Sequence, residues 1–277
     1  MAHVEYARII ITGASSGLGA AFARALAVEV EPPCEVLLIA RRVSRLEALA
    51  EELRALRPGL AVSAMACDLA DPAARAALAQ QLTALPPKRC LLLNNAGLGD
   101  YGEFATSAPA KNTQLMQVNM LAAVELTRAL LPQLLEVGGD IINTASLAAD
   151  VAIPDFALYA ASKAFLATFS EGLRLELRTQ GVRVLAVCPG PVHTEFGSVA
   201  QRPGRDRGDM PLKQCFYTPT EEVVRAALRA LRAGRARCYP SAKIWLSAGL
   251  LHLLPLWLHR LIMGARPRRT RSLDHPA

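Results

Sequence analysis

The chain has 277 residues, 52% of them hydrophobic and 20% charged, with a formal net charge of +7. That composition permits one large core. No Pro/Ser-rich or charge-rich linker, internal repeat or low-complexity run divides it, so a single α/β domain is expected. The basic excess gathers in Arg202, Arg205 and Arg207 and in Arg266, Arg268, Arg269 and Arg271. No aromatic residues interleave with it, which argues against nucleic acid as a partner and leaves an anionic membrane surface or, the more common case, a solvated surface.

Residues 8–12 are a β-branched run with no helical period and read as a first strand. Gly13, Gly17 and Gly19 follow, then an alanine-rich helical pattern. Strand, glycine turn and helix open a dinucleotide-binding unit. The glycines let the backbone turn tightly against a pyrophosphate, and the free N–H groups of the helix face the anion. The spacing is G-x-x-x-G-x-G, not the commoner G-x-G-x-x-G.

Further strands are expected at 35–40, 60–67, 90–94, 140–145 and 182–187, and helices at 44–56, 72–85, 110–137 and 156–180. Apolar strands alternating with helices predict one doubly wound, Rossmann-type parallel sheet with helices on both faces. Its ligand crevice should lie at the carboxyl ends of the strands. Residues 1–240 are expected to hold this domain, and 241–277 an apolar, then basic, C-terminal extension.

In the helix at 156–180, Tyr159 and Lys163 are four apart and share one face. A nearby ammonium favours phenolate and pulls a tyrosine pKa below about 10. A tyrosine so tuned can pass a proton to or from an alcohol or ketone oxygen. Ser146, at the end of the strand-like DIINTAS, is placed to hold that same oxygen.

With these residues in view, the sequence resembles the short-chain dehydrogenases/reductases. Thr12-Gly13-Ala14-Ser15-Ser16-Gly17-Leu18-Gly19 matches their T-G-x-x-x-G-x-G, and Asn94-Asn95-Ala96-Gly97 their N-N-A-G. Asn119, Ser146, Tyr159 and Lys163 match the catalytic set, and Pro189-Gly190 with Thr194 matches P-G-x-x-x-T. The motifs fall in family order between Thr12 and Thr194. The likeness is strong over roughly the first 195 residues and loose beyond.

The resemblance implies an oxidoreductase that interconverts a carbonyl and a secondary alcohol with a nicotinamide cofactor. Tyr159 would be the acid in reduction and the base in oxidation. Lys163 would lower its pKa and hold the nicotinamide ribose, Ser146 would bond the substrate oxygen, and Asn119 would hold a water chain to the lysine. The cofactor would run along Gly13, Ser15, Ser16, Gly17, Leu18 and Gly19, then Asp68, Leu69, Asn95, Ala96 and Gly97. Pro189, Gly190, Val192 and Thr194 would complete its site. Asp68 would stand near the adenine, its alternative role being a helix N-cap before Pro72. Relatives assemble as homodimers or homotetramers through the tyrosine helix and its neighbour.

The second strand ends Ala40-Arg41-Arg42. An acidic residue here usually meets a free ribose 2′-hydroxyl, and an arginine a 2′-phosphate. Ala40 stands where NAD-preferring relatives carry Asp, so NADP(H) is expected. Arg41 and Arg42, with a hydroxyl from Ser15 or Ser16, would hold the phosphate. Cations at a helix start oppose its dipole, so a compensating anion is also expected.

The resemblance implies a substrate lid at 195–218, expected to be poorly ordered without ligand, with 147–156 as the facing wall. Both are mostly apolar, which suggests a lipophilic or medium-sized carbonyl substrate. The stretch 244–263 is very apolar but interrupted by His252, Pro255, His259 and Arg260, which argues against a membrane span. It either lies on a membrane, with contact through 244–271, or covers the pocket or an oligomer interface; the second is favoured. Six scattered cysteines form no metal-binding spacing, and Cys67, Cys90 and Cys188 read as buried thiols. With a strand beginning near residue 8, no signal peptide is expected, and the location is taken as cytoplasmic. Competing functions are a 3-oxoacyl-carrier-protein reductase and a catalytically silent NADP-binding regulator. The intact Asn-Ser-Tyr-Lys set argues against the latter.

Overall fold

A computed structural model of the protein describes residues 6–202 and 217–264. The middle of the expected lid, with Arg205, Arg207 and Cys215, lies outside the described residues. So do the tail arginines from Arg266 on. Among the described residues, one sheet of seven parallel strands runs in the order β3-β2-β1-β4-β5-β6-β7. The strands are β1 (Arg8–Thr12), β2 (Glu35–Ala40), β3 (Ala61–Ala66), β4 (Cys90–Asn94), β5 (Gly139–Thr144), β6 (Val182–Val187) and β7 (Arg237–Cys238). The first six fall within a residue of the expected positions. β1, β4 and β5 are buried at every residue, and their apolar runs at 9–11, 90–93 and 141–142 are continuous rather than alternating.

β7 was not expected. Two residues carry no period, and it exists because Ala186 and Val187 at the end of β6 pair with Arg237 and Cys238.

Helices α1 (Gly17–Glu29), α2 (Val43–Leu56) and α8 (Thr220–Arg232) cover one face, sealing a core around Ile9, Ile11, Phe22, Leu38 and Leu46. On the other face α3 (Pro72–Thr83), α5 (Ala122–Val137) and α6 (Ala157–Leu177) close over Ile10, Leu92, Leu126 and Leu130. Each such buried side chain contributes about 1.5–3 kcal/mol relative to leaving it exposed. The expected long helix at 110–137 begins as α4 (Pro109–Met116) and continues into α5 through a π-turn at Gln117–Leu121. That extra residue per turn rotates the helix locally and carries Val118 and Asn119 inward. Short α7 (Phe196–Ala200) follows β6, and α9 (Ala242–Leu253) and α10 (Leu256–Gly264) complete the described chain.

Chain order reverses between β1 and β4: β2 and β3 continue one way, β4 to β7 the other. Loops leaving β1 and β4 therefore part at their carboxyl ends, and the crevice opens between them.

Candidate active site

Thr12 ends β1 and ties the crevice floor together. Its hydroxyl donates to the Leu93 carbonyl at 3.2 Å and accepts the N–H groups of Asn95 at 2.9 Å and Ala96 at 3.1 Å. Asn95 Nδ2 reaches back to the Thr12 carbonyl at 3.1 Å. Only glycine fits the turn that follows. Gly13 has φ +67°, and a Cβ there would stand 2.8 Å from Ala96 Cα. A Cβ on Gly19 would meet the Gly13 carbonyl oxygen at 2.3 Å. No side chain caps α1 at Ser16, so its first-turn N–H groups face the crevice, the arrangement that receives a pyrophosphate. Thr194 stands against Gly17 from the opposite wall.

Beside this turn, Arg42 gathers both expected serines. Its Nη2 donates to Ser16 Oγ at 2.6 Å and Ser15 Oγ at 3.1 Å. The compensating anion is Glu195, 2.8 Å from Arg42 Nη1 and 2.7 Å from Arg45 Nη1. Those two hydrogen bonds hold its carboxyl below the usual carboxylate range. Arg41 lines the same corner. Neither Arg45 nor Glu195 was expected.

Asp68 and Leu69 form the adjacent wall. Asp68 is not the cap of α3. That role belongs to Asp71, whose side chain accepts the Ala73 N–H at 2.9 Å. The Asp68 carboxylate accepts the N–H of Ala70 at 3.0 Å instead. Buried Arg75, which sequence reasoning missed, holds this wall: it donates to the Leu69 carbonyl at 2.8 Å and to Gln117 Oε1 at 2.6 Å. It thereby joins the wall to the π-turn.

At the other end of the crevice Tyr159 is only 8% exposed. Its ring stacks on Phe156 at 4.2 Å and meets Phe196 at 5.4 Å. Burial pushes its pKa up to about 12, with a hydrogen bond to Ser146 working the other way. The lowering expected from Lys163 is not seen; the opposing pull comes from Ser146. Lys163 Nζ is 5.7 Å from the phenol ring centroid and donates to the Thr144 carbonyl at 2.7 Å. Its own pKa is pushed down to about 8 by burial. Ser146 Oγ accepts the Ala148 N–H at 3.1 Å, which fixes the hydroxyl at the strand end.

Asn119 is bonded to backbone behind the cleft. Its Oδ1 accepts the Leu98 N–H at 2.7 Å, and its Nδ2 donates to the Leu98 carbonyl at 2.9 Å and to Ser162 Oγ at 3.0 Å. Both of its N–H groups are engaged in bracing the loop after β4 against α6. These bonds give the side chain a positioning role. A second buried brace, from Asn94 to Asn143 at 2.9 Å and on to Ser170 at 2.8 Å, fixes α6 behind the tyrosine and was not expected.

These groups share one cleft of about 1110 Å³. Every residue expected at the site lines it except Gly19, which packs beneath Gly13, and Asn119, which braces from behind. A model for the short chain dehydrogenase family matches residues 7–203. The chain belongs to that family.

Among curated relatives, "Dehydrogenase/reductase SDR family member 7B" of Bos taurus is 30% identical over 99% of this chain and 85% of its own. "Ketoacyl reductase HetN" of Nostoc sp. is 38% identical over 66% of this chain, a match that spans 63% of that relative's length. A solved short-chain dehydrogenase from Sphingobium yanoikuyae in complex with NADPH superposes with a TM-score of 0.77 at 30% identity, covering 98% of this chain and 99% of that one. The chain is thus a member of an oxidoreductase family built around a nicotinamide cofactor. The residues present fit one: bare glycine backbone and open helix N–H groups stand at one end, Tyr159 and Ser146 at the other.

In this dehydrogenase the second end is strongly apolar. Val151, Ile153 and Phe156 come from the wall expected at 147–156, and Phe196 from α7. Ile244, Leu251 and Met263 from α9 and α10 also face the cleft, so the extension does cover the pocket, as favoured from sequence. Arg202, after α7, is fastened to the loop that follows β4. Its guanidinium grips Asp100 at 2.6 and 2.9 Å, and Lys111 Nζ meets the same carboxylate at 2.9 Å. Tyr239 OH and Arg237 hold Asp150, which pins the turn after β5.

Proposed function

We propose that this dehydrogenase is an NADP(H)-dependent oxidoreductase that interconverts a ketone and a secondary alcohol on a lipophilic or medium-sized substrate. The observation that carries it is the buried Tyr159 hydroxyl beside Ser146, at the apolar end of a cleft whose other end is a glycine turn. The nicotinamide would supply or accept the hydride. Ser146 holds the substrate oxygen, and Tyr159 passes that oxygen its proton as the carbon takes the hydride. Burial keeps the phenol protonated at neutral pH, which suits a proton donor. Lys163 stands ready to return charge balance when the phenol gives up its proton. The apolar end excludes water from the reacting carbon.

NADP(H) over NAD(H) is supported by Arg42 already paired with Ser15 and Ser16, by Ala40 in place of an acid, and by NADPH in the Sphingobium relative. A cytoplasmic location belongs to the same proposal. Exposed Leu121 and Leu135 near and on α5, with Phe165 and Leu175 on α6, support assembly of two or four copies through that face. The relationship to a ketoacyl reductase favours a 3-oxoacyl thioester as the second reading.

The test is consumption of NADPH with a panel of apolar ketones and a 3-oxoacyl thioester, by wild type and by Tyr159→Phe. Phenylalanine keeps the ring stacked on Phe156 and removes only the hydroxyl. Turnover should fall by roughly 10²–10⁴-fold while NADPH binding persists. Unchanged turnover in the variant would overturn the role given to Tyr159.

A further inference from the structure

The outer surface of α9 and α10 does not look like the outside of a water-facing helix. Helix α8, just before them, presents Glu221, Glu222, Arg225 and Arg229 outward and buries Val223, Val224 and Leu228. Helix α9 instead buries Ile244 and Ala248 and exposes Trp245, Leu246 and Leu253. Helix α10 exposes Trp257, Leu261 and Ile262. Exposures run from 50% to 84% across these six side chains. A contiguous apolar surface of this kind marks an interaction site.

The composition of that surface specifies its partner. Both tryptophans of the chain are on it. Indole rings, with an apolar body and one polar N–H, favour the boundary between lipid and water. Lys243 and Arg260 are exposed beside the apolar side chains, and Arg266, Arg268, Arg269 and Arg271 follow α10 in the sequence. No acidic residue occurs between Lys243 and Arg271. A protein–protein interface usually tempers a cationic rim with acids; a uniformly basic one complements an anionic lipid surface.

The two helices are not built as one straight span. No single described helix is long and apolar enough to cross a membrane, and the two meet at 113° rather than in line. The inner face of α9 is also committed to the protein at Ile244 and Ala248.

We propose that α9 and α10 seat this dehydrogenase in the plane of an anionic lipid bilayer, apolar side chains in the acyl boundary and basic residues at the headgroups. Leu250 is at the junction of the two functions: it is 59% exposed and also lines the cleft. Docking by this face sets the apolar end of the cleft against the lipid. An apolar ketone dissolved in the bilayer would then reach Tyr159 without crossing water. That route rests on the activity proposed above; the docking does not.

The chain supplies its own probe, since both tryptophans are in the docking surface. Vesicles of phosphatidylcholine, with and without phosphatidylglycerol, would be added to the full-length protein while tryptophan emission is recorded. The expected result is a blue shift with the anionic vesicles, quenching by brominated acyl chains, and reversal by high salt. Leu253→Asp with Leu261→Asp should weaken vesicle binding at least tenfold. Arg260→Glu, which touches no apolar contact, should weaken it less. Both variants should keep the wild-type thermal shift with NADPH, which reads the fold and the cofactor site apart from docking. Three results would overturn the proposal: no emission change with either vesicle, equal response to neutral and anionic vesicles, or loss of the wild-type oligomer in the aspartate variant. The last would assign the face to a second copy of the chain. Failure of ketone turnover with docking intact would instead count against the proposed activity.

Discussion

The two ends of the cleft are built in different ways. The cofactor end is made from strand ends: Thr12, Gly13, Asn95 and Ala96 are held by bonds that cross from β1 to β4. Its residue types are constrained because backbone must approach backbone, as Gly13 and Gly19 show. The substrate end is made from segments far apart in the chain. Asp100 is fastened to Arg202, Asp150 to Tyr239, and α9 and α10 close over the top. Backbone packed closely against backbone suits a fixed cofactor. Apolar construction from distant segments suits a substrate that differs from one relative to the next.

This contrast can be broken most directly at the cofactor end. Arg42→Ala should weaken NADPH binding by roughly 10–100-fold, the range of a charged hydrogen bond, and leave NADH binding nearly unchanged. Calorimetric titration of both cofactors checks it. Equal loss for the two would mean that Arg42 shapes the turn rather than reads a phosphate.

The next largest effect lies between the two ends, at Lys163. Its folded pKa of about 8 is below the ordinary lysine value, so burying the ammonium costs stability wherever the unfolded chain is protonated. The cost is fully present below pH 8 and fades as pH rises from about 8 to 10.5. Wild type should therefore gain roughly 2 kcal/mol relative to Lys163→Met between pH 7.5 and pH 10, read by urea unfolding. A constant difference across that window would show that the ammonium is solvated.

The smallest effect is expected at the substrate end. Asp100→Asn keeps the shape but removes the charge that Arg202 and Lys111 share. Stability should drop by on the order of 1 kcal/mol, and KM for the ketone should rise more than kcat falls. A fall in kcat alone would place Asp100 in the chemistry rather than in the fastening of Arg202.

The same contrast explains what was legible in the sequence. Strands were readable because buried parallel strands centre on short apolar runs, as at 9–11, 90–93 and 141–142. The glycine turn, Ser146, Tyr159 and Lys163 were readable because their spacing carries the chemistry. Glu195 was not, since it meets Arg42 across 153 residues and no local pattern announces it. Arg75 reads as an exposed helix cation until the fold buries it against Leu69. The π-turn at Gln117–Leu121 leaves no mark on hydrophobic periodicity, so the true setting of Asn119 was hidden. The rise in the Tyr159 pKa follows from packing by Phe156 and Phe196, and Phe196 lies 37 residues away in sequence.

The most direct test of the account is a thermal-shift titration of the purified protein with NADPH and, separately, with NADH. A ligand at 100 times its dissociation constant stabilises a fold by about 2.7 kcal/mol, which should raise the midpoint by a few degrees in a chain this long. The account predicts a clear rise with NADPH and little or none with NADH at the same concentration. A rise with NADH alone would contradict the reading of Arg42 and its serines, and no rise with either would contradict the nicotinamide site itself.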